Sequence, residues 1–99
     1  MVDIKWDEEK NKLLKKTRGV SFDDVILALQ DDRFIAIEEH PNKNRYPHQK
    51  ILILNLNNYI HIVPFVESEN EIFLKTIYPD RKYHKKYHKE SKWEKNQNT

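Results

Sequence analysis

The chain has no cysteine, which excludes disulfide staples, thiolate nucleophiles and cysteine-based zinc sites. It has one glycine, Gly19, so no glycine-rich phosphate loop exists anywhere in it. No apolar run approaches the roughly 20 residues of a membrane-spanning helix, and no membrane partner is expected. The opening Met1-Val2-Asp3-Ile4-Lys5-Trp6-Asp7 lacks an apolar stretch, so no signal peptide is expected. A thiol-free chain with these features fits a cytoplasmic location.

What is present is mostly charge. Of 99 residues, 37% are hydrophobic and 34% are charged, which leaves enough for one domain with a narrow core. That domain is expected to span residues 1–90. Residues 91–99, polar apart from Trp93, are expected to form a flexible tail. The charge is uneven. Residues 1–77 carry 11 basic and 13 acidic side chains, whereas residues 78–99 carry 7 and 3. The C-terminal part therefore suits either an anionic partner or a merely solvating role.

Ile4 and Trp6 alternate as a short extended segment would. Asp7 is placed to cap a helix that carries Glu8 and Glu9 in its first turn, and Lys15, Lys16 and Arg18 in its last. Gly19 follows as a left-handed terminator. Ser21 and Asp24 have capping-box spacing, and Phe22, Val25, Ile26 and Leu29 share one helical face. Four extended runs come next: Arg33 to Glu39, Gln49 to Leu56, Tyr59 to Val66 and Glu71 to Ile77. Asn57-Asn58 is a two-residue turn candidate. Pro64 predicts that its strand is an edge or is bulged. The order predicts an α+β domain: two N-terminal helices packed on a four-stranded antiparallel sheet, followed by a C-terminal helix.

The densest functional stretch is Ile77 to His88. Arg81, Lys82, Lys85, Lys86 and Lys89 supply charge, with Arg81, Lys85 and Lys89 on one helical stripe and Tyr83 and Tyr87 on another. The tyrosine stripe is expected to dock the helix. His84 and His88 have the spacing of a metal-binding pair, but Lys85 and Lys86 would repel a cation and no third ligand stands out, so no metal or other cofactor is expected. The long polar loop between the first two strands adds His40, Arg45 and His48.

Ile4-Lys5-Trp6-Asp7-Glu8-Glu9-Lys10, followed by Arg18-Gly19-Val20-Ser21-Phe22-Asp23-Asp24-Val25, resembles the opening of BrnT-like toxins of bacterial type II toxin–antitoxin systems. Ile77-Tyr78-Pro79-Asp80-Arg81-Lys82 stands where that family has a strand end leading into Ser-Ala-Arg-Lys, and Tyr87 matches a later tyrosine. The resemblance covers about residues 4–87. Pro79-Asp80 and Tyr83-His84 depart from the family pattern.

The resemblance implies a RelE-like fold and an endoribonuclease that inhibits translation and growth. It also implies a neutralising antitoxin partner of the ribbon-helix-helix type, with DNA contacted only through that antitoxin. Arg81, Lys82 and Tyr87 carry over by motif. Glu39-His40 matches an acidic-His segment of the family, and Arg45 is the candidate for a loop arginine. The catalytic candidates are thus Arg81, Arg45, His40, Glu39 and Tyr87. Lys82, His84, Lys85, His48 and Lys50 are the RNA-binding candidates.

RNA cleavage by its own 2′-hydroxyl needs a base, an acid for the 5′-oxygen, and positive charge on the phosphate, but no metal. Arg81 is the expected phosphate stabiliser, assisted by Arg45 or Lys82. His40, His48 or His84 is the expected acid or base. Two alternatives stay open. One is a non-catalytic nucleic-acid- or protein-binding module that uses the basic helix. The other is a degenerate toxin kept as a partner subunit.

Overall fold

The computed structural model describes residues 2–88. The expected tail, with Trp93, and the stripe position Lys89 lie outside them. The element order is β1 (Asp3–Trp6), α1 (Glu8–Arg18), α2 (Phe22–Gln30), β2 (Phe34–Glu39), β3 (Lys50–Leu56), β4 (Tyr59–Glu67), β5 (Glu71–Leu74), β6 (Tyr78–Pro79) and α3 (Arg81–His88). The class is α+β.

Local chemistry sets the helix ends. The Asp7 carboxylate accepts from the Glu9 and Lys10 backbone N–H groups. Gly19 closes α1 at φ 69°, a left-handed conformation that only glycine adopts without penalty. Ser21 and Asp24 form a reciprocal capping box at the start of α2. Buried Asn11 joins the two helices. Its Oδ1 accepts from the Phe22 N–H at 2.7 Å, and its Nδ2 donates to Glu8 and Asp23. Asn57 and Asn58 both take positive φ, as the tight β3–β4 turn requires.

The sheet differs from the expected four antiparallel strands. Its order is β1-β5-β4-β3-β2, with β6 also pairing with β4. β2 to β5 form an antiparallel meander, but β1 lies parallel to β5, with Ile4 opposite Ile72 and Trp6 opposite Leu74. Parallel neighbours need a long crossover, and here everything from α1 to β4 supplies it. Ile4 and Trp6 earn a strand because they pack against the α1–α2 core, where Trp6 stacks on Phe22 at 5.5 Å.

Both sheet faces are covered. Leu52, Leu54, Leu56, Val63 and Phe65 meet Leu14 of α1 and Phe22, Val25 and Ala28 of α2. Ile51, Ile53, Ile60 and Ile62 point the other way and meet Tyr78, Tyr83 and Tyr87. The tyrosine stripe of α3 is therefore a docking stripe. Strand alternation separates β3 into these two apolar sets, which is why the strand reads as a continuous hydrophobic run.

Pro64 is not on an edge strand but does stand opposite an irregularity, where two β4 residues between the Phe65↔Leu74 and Ile62↔Tyr78 rungs face three residues of the neighbouring connector. It sits in β4, which is central, and the one register shift in the β2–β3 pair lies between Phe34 and Ala36. The N and carbonyl of a strand residue point to the same side. The Pro64 carbonyl accepts from the Lys75 N–H at 2.8 Å, so the missing N–H faces the β5–β6 side. There the neighbouring strand is interrupted. β5 pairs with β4 from Phe65↔Leu74 outward, and β6 pairs with it at Ile62↔Tyr78 and His61↔Pro79. The expected fourth run accordingly stops at Leu74 and resumes as β6, because proline cannot supply the next rung.

Candidate functional site

The break at Pro64 opens a cleft of about 360 Å³ beside β4. His40, Tyr46 and Gln49 line it from the β2–β3 loop. Lys75, Thr76 and Tyr78 line it from the β5–β6 connector, Lys10 reaches it from α1, and Pro64 completes it. None of these eight residues is acidic, in a chain with 16 carboxylates. Its volume lies in the range of small-molecule sites.

His40 is the buried group of this cleft. Strand alternation carries Ala36, Glu38 and His40 to the α3 face, and the His40 N–H still bonds to the Gln49 carbonyl. Its Nδ1 accepts from the Asn42 N–H at 3.0 Å. That bond puts the proton of the neutral ring on Nε2, making it a hydrogen-bond donor. Burial lowers the His40 pKa, which favours this neutral form. The Tyr46 ring packs on the imidazole at 4.6 Å, and the Arg45 guanidinium lies 5.5 Å from the Tyr46 centroid. The loop therefore brings His40 and Arg45 together around one aromatic ring.

Other candidates stand elsewhere. Glu39 faces away from His40, because adjacent strand residues point to opposite faces, and it lies opposite Lys50. Lys50 is engaged by Glu67 at 2.8 Å. His48 is exposed beside Gln49. Tyr87 donates its hydroxyl to Glu38, and Lys86 pairs with the same carboxylate at 3.2 Å. His84 stacks on Tyr59 at 4.0 Å, and its Nδ1 accepts from the Ile60 N–H. His84 thus holds α3 to β4.

Arg81, Lys82 and Lys85 are exposed on α3, and none forms an ion pair among the described residues. Arg81 does not share the His40 site. Asp80, just before it, donates its N–H to the Ile60 carbonyl and caps α3 through the Tyr83 N–H. Tyr78, three residues before Arg81, lines the cleft, whereas Arg81 itself does not. The His84 Nδ1 accepts from the Ile60 N–H, and no group of three or more His, Cys, Asp or Glu that could hold a metal ion occurs among the described residues.

Seven of the eight cleft residues lie outside the expected site, all but His40, and Lys10, Lys75, Tyr46 and Tyr78 are the charged and aromatic ones among them. Pro64 was the sequence signal that could have found them, as the point where a central strand must lose a neighbour. Burial pushes the Tyr78 and Tyr83 phenols up, and nearby Asp80 and Glu38 respectively push in the same direction, so both stay protonated donors.

Comparison with protein families, with curated proteins and with solved structures returns no match. No described helix is long and apolar enough to cross a membrane.

Proposed function

We propose that the chain is a RelE-like endoribonuclease toxin of a cytoplasmic toxin–antitoxin pair, cutting RNA through the RNA's own 2′-hydroxyl without a metal. The observation that carries this reading is the acid-free cleft holding His40 with its proton on Nε2. A site for this reaction must hold a phosphate whose negative charge grows in the transition state. Fixed donors in a partly dry cleft do that without reorganising.

In this reading the scissile phosphate lies in the cleft, where His40 Nε2–H donates to a non-bridging oxygen. Arg45 adds charge from the loop. The 2′-hydroxyl attacks phosphorus and gives its proton to a base, for which exposed His48 is the candidate. The P–O5′ bond breaks, and the 5′-oxygen takes a proton from the solvent. The products are a 2′,3′-cyclic phosphate and a 5′-hydroxyl. Arg81, Lys82 and Lys85 hold the flanking backbone along α3. Glu39 and Tyr87 take no part in the chemistry here, since Glu39 faces away and Tyr87 is engaged by Glu38. The neutralising partner is an antitoxin of the ribbon-helix-helix type.

The test is incubation of the purified protein with total RNA in EDTA. Fragments ending in a 2′,3′-cyclic phosphate are the expected product. RNA bound but uncut would leave a nucleic-acid-binding module that uses the exposed cations of α3. Growth arrest on expression, relieved by the product of a neighbouring gene, would identify the antitoxin.

A further inference from the structure

We infer that Lys10 and Lys75 form a phosphate subsite in the Pro64 cleft, and that its ligand is a nucleotide bearing a 3′-phosphate. The subsite is built into the fold. Pro64 cannot donate to a neighbour, so β5 leaves β4 after the Phe65↔Leu74 rung. The connector is held in its displaced path from both sides. The Lys75 N–H is taken by the Pro64 carbonyl at 2.8 Å, and the Ile77 carbonyl accepts from Arg18 Nη1 at 2.6 Å. Displacement of the connector places Lys75 and Thr76 on the cleft wall rather than in a ladder.

Two lysines from distant parts of the chain meet in this one cleft. Lys10 comes from the first turn of α1, which the Asp7 cap orients through the Lys10 N–H. The Lys75 ammonium lies 5.5 Å from the Phe73 ring centroid. Neither lysine pairs with a carboxylate among the described residues, and no carboxylate lines the cleft. Three other described lysines are each engaged by an acid, Lys5 by Glu71, Lys50 by Glu67 and Lys86 by Glu38. An ammonium pair left without counter-charge, beside a neutral imidazole donor and the Thr76 hydroxyl, is complementary to a phosphate dianion.

The rest of the cleft selects more than a bare anion. About 360 Å³ is far more than one phosphate fills, and Tyr46 and Tyr78 give the remaining wall aromatic surface with hydroxyl donors. A ribose and base extending from the phosphate would cover that wall. Naming the ligand as the 3′-nucleotide end of an RNA rests on the ribonuclease reading above. The binding prediction itself does not need cleavage.

The experiment is calorimetric titration of the full chain with the four nucleoside 3′-monophosphates, with inorganic phosphate, and with the four nucleosides. RNA cleavage is assayed in parallel. At least one 3′-nucleotide is expected to bind more tightly than phosphate, and the nucleosides to bind least. Lys10→Ala and Lys75→Ala should each weaken nucleotide binding by about tenfold, as loss of a charge-assisted contact would. Lys12→Ala, on the exposed face of α1, should leave it unchanged. Circular dichroism confirms that each variant is folded.

The subsite is overturned if no 3′-nucleotide binds, if nucleosides bind as tightly as nucleotides, or if folded Lys10 and Lys75 variants bind like the parent. Nucleotide binding that depends on both lysines, without RNA cleavage, would sink the ribonuclease reading and leave the subsite standing. RNA cleavage with unaltered nucleotide binding in both variants would do the reverse.

Discussion

Glu38 is the acceptor that ties the end of α3 to the sheet: the Tyr87 hydroxyl donates to its carboxylate, and the Lys86 ammonium pairs with it at 3.2 Å. The lysine half of this arrangement is exposed and contributes little on its own. The tyrosine bond is partly buried and charge-assisted, so it carries most of the effect. Glu38→Ala should cost roughly 1–3 kcal/mol of stability. The loss should be concentrated in α3, with faster amide exchange over residues 81–87 and little change in α1 and α2. Equal exchange in α3 of parent and variant would show that the tyrosine ring packing alone holds the helix.

Asn11 makes a different kind of join. Its Oδ1 satisfies the Phe22 N–H, one of the orphan donors at the start of α2, while its Nδ2 lies between Glu8 and Asp23. Asn11→Ala should destabilise by roughly 1–3 kcal/mol, because it leaves a buried N–H unpaired. Asn11→Asp keeps the acceptor but sets a third carboxylate beside two others. Its deficit should shrink on acidification toward pH 4, where Asn11→Ala shows no such recovery. Chemical denaturation at two pH values separates the cases.

These two joins also show where sequence reasoning reaches. Asp7, Gly19, Ser21-Asp24 and Asn57-Asn58 were legible because caps and turns are decided by neighbours in the chain. Strand alternation split Ile51 and Ile53 from Leu52, Leu54 and Leu56, so the two-sided burial of β3 was also within reach. The parallel pairing of β1 with β5 was not, because nothing local distinguishes Ile4 and Trp6 on a sheet edge from the same residues on a helix surface. Glu38 was passed over for Glu39, although stepping back by two from His40 selects Glu38. Lys10 and Lys75 carry no local signal at all. Their meeting depends on Pro64 interrupting a strand to which neither belongs.

Two buried histidines give stability a defined pH dependence. Burial lowers the pKa of His40, and burial also lowers that of His61, helped by the nearby Arg18 charge and only partly opposed by the bond from its Nδ1 to the Tyr59 carbonyl. Above the unfolded value of about 6.5, both states are neutral and the folded protein is at full stability. As pH falls below it, the unfolded chain takes up protons that the folded chain refuses, so stability falls until the folded histidines titrate as well. Tm should therefore drop between pH 7.5 and pH 5. His61→Gln should flatten part of that drop without touching the cleft. A Tm that is level across this interval would contradict the burial argument.

The division of labour between the cleft and α3 predicts a kinetic split. His40 lines the cleft, whereas Arg81 is exposed on α3 outside its lining and in this reading meets only the flanking backbone. A donor aimed at the growing charge acts in the transition state, so His40→Ala should lower kcat by about 10²-fold. A backbone cation binds ground state and transition state alike. Arg81→Ala should raise KM with kcat nearly unchanged, and should reduce the salt dependence of RNA binding by about one unit of slope. Lys85→Ala should behave like Arg81→Ala. If Arg81→Ala instead lowers kcat as far as His40→Ala while both variants remain folded, the reacting phosphate sits at the start of α3, and the cleft only accepts the nucleotide beside it.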